Sequence, residues 1–500
     1  MKRRWNRLVA LELLVAAALS GCATPALRPP QVPQTSAYTA TPMPSETVSA
    51  AGTGGGAQQF NIGRDISAEW WQLFHSDRLD ALIRQAVKES PTLAAAQAAL
   101  RESQELMRAQ VGTLYYPSID ANASAVRRQT TGASFGQPTS PGSLFNLYNA
   151  SVSVSYTFDF AGGISSEYQA LQSQVDYQRF QLEATYLTLT SNIVTTAVKE
   201  AGLRAEIRAT QEIIDALQQQ LDVVEGQFQL GAVPRSDVLV QQVQLAQTRA
   251  TLPPLEKQLS QTRHQLAVLA GKPPSDATLP EFNLDALQLP QELPVSLPSS
   301  LLQQRPDIRG SEALLKQASA QVGVATANLY PQITLTGTYG SETTKYYDLF
   351  GSGTSVWSLG AALLQPIFHG GELRAKRRAA VAAYDQAAAQ YRQTVLQAFQ
   401  NVADTLRALE TDARALKAQS EAEQAASASL DLARDQFRLG AVGYLSLLIA
   451  QRQYYQARVL LVLAQATRYA DTAALFQALG GGWWNRAPLA DAQATSKKTD

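Results

Sequence analysis

Proton transfer, metal binding and nucleophilic attack need titratable side chains gathered at one place, and this sequence is poor in them. Its histidines are His75, His264 and His369, scattered along the chain. His264 falls in a helical stretch and His369 beside a strand end, which favours isolated structural roles over a ligand cluster. No cysteine pair, HExxH, GxSxG or P-loop motif occurs. Gly162-Gly163 and Gly370-Gly371 precede helices, but they recur at equivalent strand ends, where a sharp turn explains them. The basic run at 374–378, RAKRR, reads as a solvated helix start rather than an anion site. The residue types thus argue against an enzyme and predict neither metal nor cofactor. One reactive group remains, the thiol of Cys22.

The chain opens MKRRWNRLVALELLVAAALSGC. Lys2, Arg3, Arg4 and Arg7 form a basic start and Leu8–Leu19 a short apolar run, so residues 1–21 read as a signal peptide. Leu19-Ser20-Gly21-Cys22 has the form of a bacterial lipobox. Its small residues suit a peptidase cleft, and the thiol is the nucleophile that takes up lipid. The alternative is an ordinary signal followed by an incidental cysteine. Alanine at 23, rather than aspartate, points to sorting to the outer membrane. Residues 22–60, rich in Pro, Thr, Ser, Ala and Gly, read as a lipidated tether that cannot fold by itself. An extended segment lying on the folded body is the alternative.

The chain has 500 residues, 42 Lys+Arg against 42 Asp+Glu, and is 45% hydrophobic. Zero formal charge gives no electrostatic case for nucleic acid. After residue 21 no apolar run is long enough for a spanning helix. A membrane role must come from an anchor or from strands.

Two copies of one plan account for the length. QFQLGAV at 227–233 returns as QFRLGAV at 436–442. LYYPSIDANASA (114–125) is answered by LYPQITLTG (329–337), and SYTFDFAGG (155–163) by LLQPIFHGG (363–371). The first copy covers 61–271, with strands about 116–128 and 148–160 and helices about 164–230 and 235–270. A Pro-rich linker, 272–298, leads to the second copy at 299–484. Its strands are expected at about 330–343 and 355–367, its helices at about 372–439 and 443–479, with a tail at 485–500. Gly231 and Gly440 fall where each long helix needs a left-handed C-terminal residue. In the second long helix Val381, Tyr384, Ala388, Tyr391, Val395, Ala398, Val402, Thr405 and Leu409 alternate steps of three and four, a coiled-coil seam. Roughly 67 residues at ~1.5 Å each make a rod of about 100 Å. Pro253-Pro254 should kink or split the first return helix.

The strands alternate instead with period two. Ile119, Ala121, Ala123 and Ala125 oppose Ser118, Asp120, Asn122 and Ser124; Val152, Val154, Tyr156 and Phe158 oppose Ser151, Ser153, Ser155 and Thr157. Each run has the length of a tilted membrane-spanning strand. Soluble hairpins packed on the helices are the other reading. Four strands cannot close a barrel, and open edges are intolerable in lipid. Membrane-spanning strands would therefore have to be pooled from several copies.

In order and in duplicate, LSGC, the RPDI run at 305–308, both LYP strand starts, both LGAV helix ends and the terminal ALGGGWW resemble the TolC-like outer-membrane factors of bacterial efflux and secretion systems. They are most similar to the lipoprotein (NodT-type) branch serving resistance-nodulation-division pumps. The resemblance implies an α+β, internally duplicated fold. Each chain would give four strands to a twelve-stranded outer-membrane β-barrel in a homotrimer, continuous with an α-helical coiled-coil tunnel in the periplasm. It implies a passive outlet for small molecules from a tripartite efflux system. Its partners would be a periplasmic adaptor protein, an inner-membrane transporter and outer-membrane lipid, the last through acylated Cys22. A type I secretion duct or a coiled-coil structural lipoprotein is the alternative. The resemblance also implies a gate at the periplasmic tips near Gly231, Asp237, Gly440 and Ser446. Where the family carries paired carboxylates, this chain has Asp237 and Val240 in one copy, Ser446 and Ile449 in the other.

Overall fold

The computed structural model describes residues 27, 31, 33, 35–131, 142–275 and 278–486. The signal peptide, Cys22 and residues 487–500 lie outside the described residues, as does much of the loop after the first strand.

The chain runs β1 (Gln59–Ile62), α1 (Asp77–Glu89), α2 (Pro91–Tyr115), β2 (Ser118–Thr130), β3 (Ser143–Phe158), α3 (Gly163–Gln229) and α4 (Arg235–Leu269). It continues through β4 (Glu292–Val295), α5 (Pro298–Gln304), α6 (Pro306–Ala327), β5 (Gln332–Thr343), β6 (Ser355–Leu364), α7 (Glu372–Arg438) and α8 (Tyr444–Ala478). The duplication is visible in the lengths: α3 and α7 have 67 residues each, α4 and α8 have 35 each. Spatially the chain divides into two units, one built on 100–178 and 311–391, the other on 32–99, 179–310 and 392–486.

The first unit carries one antiparallel sheet in the order β2-β3-β5-β6. Among the described residues no helix covers its edge strands, since β2 is exposed along nearly its whole length and β6 along all of it. β3 begins at Ser143, earlier than the alternation suggested, because its loop end pairs with β2 through Ser143↔Thr130.

The second unit is held by a core in which Trp70 stacks on Phe476 at 5.1 Å between ring centres. Arg305 of the RPDI run is almost buried; its Nε and Nη2 donate to Asp307, and its Nη1 donates to the Ala478 carbonyl at 2.8 Å. That bond satisfies an otherwise orphaned carbonyl at the end of α8. The motif is thus a helix-end clamp.

Four expectations change. The segment before residue 60 is not a free tether from Ser45 onward: β1 pairs in parallel with β4, and Thr47 and Gln58 are buried. The linker likewise supplies β4 rather than merely spanning the copies. Pro253 and Pro254 do not split α4, which continues through both. The carbonyls that lose partners there belong to Arg249 and Ala250, both exposed to water. In α7 the buried seam passes from Val402 to Leu406, Leu409, Ala413 and Leu416, while Thr405 is half-exposed. The seam keeps its 3.5-residue period, and Leu406 is the knob in that turn.

Candidate functional site

The sheet is a two-faced wall. Its register aligns Ile119 with Val154, Val154 with Gly337 and Gly337 with Leu359; the adjacent row on that face is Ala121, Val152, Tyr339 and Trp357. Toward the helices the same face carries Tyr156, Leu335 and Ala361, then Phe158, Ile333 and Leu363. The opposite face presents Asp120, Ser153, Thr338 and Ser358 in one row and Ser118, Ser155, Thr336 and Gly360 in the next. Thr157 and Thr334 share a hydrogen bond of 3.1 Å there. Directly paired residues point the same way in an antiparallel ladder, so alternation within single strands becomes one apolar and one polar surface across all four. The apolar surface is bare: Leu359 is 83% and Ile119 68% exposed. Among the described residues neither sheet edge, β2 or β6, has a further partner strand.

At the C-terminal ends of the long helices, Gly231 and Gly440 take left-handed φ of 73° and 72°. The Gly231 N–H donates to Phe228 O and the Ala232 N–H to Gln227 O; Gly440 and Ala441 repeat the pattern onto Phe437 and Gln436. These are paired Schellman caps, and a side chain at either glycine would strain the turn. Asp237 is half-buried in the first turn of α4, and Ser446 is exposed in that of α8. Val240 and Ile449, at the positions where carboxylates would complete a ring, are exposed and apolar.

What sequence reasoning missed is the residue joining the two tips. Tyr444, 9% exposed, packs with Leu217, Leu221, Val224, Val238 and Leu245 of the other hairpin. Its hydroxyl donates to Gln241 Oε1, and the Gln241 amide donates to Leu217 O at 3.0 Å. Burial, and then the charge of Asp237, pushes the Tyr444 hydroxyl up to about 12, so it stays a donor at neutral pH. The only sequence hint is that Tyr444 stands where the first copy has Arg235.

Among the described residues no group of three His, Cys, Asp or Glu side chains converges to hold a metal. His75 closes a short helical turn, its Nδ1 2.9 Å from Leu73 O, and His369 faces Glu372 at 4.0 Å. An exposed apolar surface backed by a polar one is the pattern of a strand wall between lipid and water.

Known proteins agree. Residues 26–272 and 297–481 match the family described as outer membrane efflux protein. The pyoverdine export outer membrane protein OpmQ of Pseudomonas aeruginosa is 31% identical over 418 residues, covering 83% of this chain and 87% of that protein. The probable efflux pump outer membrane protein TtgC of Pseudomonas putida is 29% identical, covering 97% and 98%. The crystal structure of the outer membrane protein VceC of Vibrio cholerae superposes with a TM-score of 0.78 at 26% identity, over 84% of this chain and all of that one. The chain belongs to the outer membrane efflux protein family. It is an outer-membrane efflux channel, with its helical part in the periplasm, and the family and these neighbours are channels, not enzymes.

Proposed function

We propose that three copies of this chain form one exit duct of a tripartite efflux assembly, receiving small molecules from an inner-membrane pump through a periplasmic adaptor. The observation that carries this is the two-faced sheet with unpaired edges. In hydrocarbon each unpaired backbone group costs several kcal/mol, roughly the scale of a lost hydrogen bond without water. Joining β2 of one copy to β6 of the next removes every such edge. The polar face then lines a wet path, and the pump supplies the energy. Electron microscopy of the detergent-purified protein should show a threefold cylinder; a monodisperse monomer would refute the assembly.

Cys22 holds the lipid anchor in this reading, since it follows LSG and is the chain's sole cysteine. Cys22→Ser should abolish incorporation of labelled fatty acid, and persistent labelling would remove the assignment.

The periplasmic gate lies at the two tips, around Gly231 and Asp237 and around Gly440 and Ser446, with Tyr444 as the latch between them. Tyr444→Phe leaves Gln241 Oε1 without its donor, a loss of about 1–2 kcal/mol from the closed arrangement. The expected result is a several-fold rise in open-channel probability in planar bilayers. Unchanged gating would show that the latch lies elsewhere.

A further inference from the structure

The apolar face of the sheet ends abruptly at its loop end. From Phe158 to Tyr148 the apolar band covers about 34 Å of strand at ~3.4 Å per residue. With a tilt near 45° this is about 25 Å high, the thickness of an outer-membrane apolar belt. Beyond Tyr148 the same face changes character, with Arg127 paired to Asn146. β5 ends at Thr343, paired with Tyr148, and Lys345 follows two residues later, capping the short turn 346–348 whose Tyr346 packs against Tyr148. Arg127 and Lys345 thus stand at the same loop end of the sheet, on or just beyond the two strands that flank β3. Neither has a carboxylate partner among the described residues. Asp348, close by in sequence, turns into its own loop toward Gly351.

Immediately below them lies an aromatic cluster. Tyr346 meets Tyr148 edge-on at 6.3 Å and Tyr347 at 5.4 Å, and Lys345 Nζ lies 5.9 Å from the Tyr347 ring. The Ser341 hydroxyl oxygen lies 2.9 Å from Leu349 O and 2.7 Å from Thr354 Oγ1, tying the β5–β6 loop to the apolar face. That loop brings Phe350 over small side chains. A groove of about 650 Å³ results, lined by Ala121, Ala123, Ala150, Val152, Tyr339 and Phe350.

We propose that this is a binding site for a phosphate-bearing lipid. Arg127 and Lys345 take the anionic headgroup, the aromatic rings mark the headgroup level, and the groove receives an acyl chain. The site rests on reading the sheet as a lipid-facing wall of the trimer. Arg128 gives an internal control, because it pairs with Phe145 on the opposite, lumenal face.

The test is native mass spectrometry of the full detergent-purified protein, with bis-phosphorylated lipid A as probe and its dephosphorylated form as reference. Wild type should retain the phosphorylated lipid at least tenfold better. R127A/K345A should lose that preference, R128A should keep it, and A123F, which fills the groove, should lower retention of both lipids. Trimers with no preference, or an equal loss in R128A, would overturn the site while leaving the trimer intact. Monomers throughout would overturn the trimer and the site together.

Discussion

Val154→Arg is expected to destabilise the membrane-inserted protein by about 2–4 kcal/mol, the cost of a cation at the middle of a barrel's lipid face. Val154 sits in the row Ile119, Val154, Gly337, Leu359, between the Phe158 and Tyr148 limits of the apolar band. An arginine there has no route to water except along its own stem. Ser153→Arg, one residue away, should change stability by no more than about 0.5 kcal/mol. It would point to the polar face, where Asp120 is its direct cross-strand partner. Urea unfolding from lipid vesicles measures both. Similar losses for the two variants would mean that the faces are wrongly assigned.

That pair also shows why the sheet could be read from sequence. A strand's side chains alternate by covalent geometry, so a surface facing lipid on one side and water on the other writes itself into consecutive letters. The helix ends were legible for a similar reason: only glycine takes the left-handed turn at 231 and 440 without strain. What stayed hidden depends on partners far along the chain. Tyr444 meets Gln241 across the two hairpins, and no local pattern announces that bond. Composition misled at the N-terminal segment. Its glycines suggested a chain too flexible to fold, but their carbonyls are the functional groups, offered to a buried cation more than 400 residues away. Likewise Pro253-Pro254 breaks two hydrogen bonds on paper, but the carbonyls it frees face solvent, so the helix survives.

Arg468→Ala is expected to cost about 3–5 kcal/mol and to release residues 45–58 from the second unit. Arg468 is wholly buried in α8. Its Nη1 donates to Gly54 O at 2.9 Å, its Nη2 to Gly56 O at 2.8 Å and to Thr47 Oγ1 at 2.9 Å, and its Nε to Gln58 Oε1 at 3.4 Å. Gln58 in turn donates to Pro290 O and to Thr472 Oγ1. Removing the guanidinium strands several buried acceptors together, and water entering the cavity recovers only part of the loss. Lysine should rescue little, since one ammonium with three donors cannot span this cage. Proteolysis should therefore clip the variant near residues 45–58 well before global unfolding, and uncut protein would show that β1 pairing alone holds the segment. The same cage gives the stability a pH dependence. Burial, reinforced by a hydrogen bond and charge repulsion from Asp471, pushes Asp412 up to about 7, while the Arg468 cation opposes the rise. A carboxyl raised above its unfolded value of about 4 is bound to its proton more tightly in the folded state. Its stabilising contribution is complete below that value and disappears as pH climbs through about 7. Wild type should thus melt at a lower temperature at pH 8 than at pH 5. Without Arg468 the acid is pushed higher still, so the fall should move to more alkaline pH; a fall at unchanged pH would separate the guanidinium from the carboxyl pair.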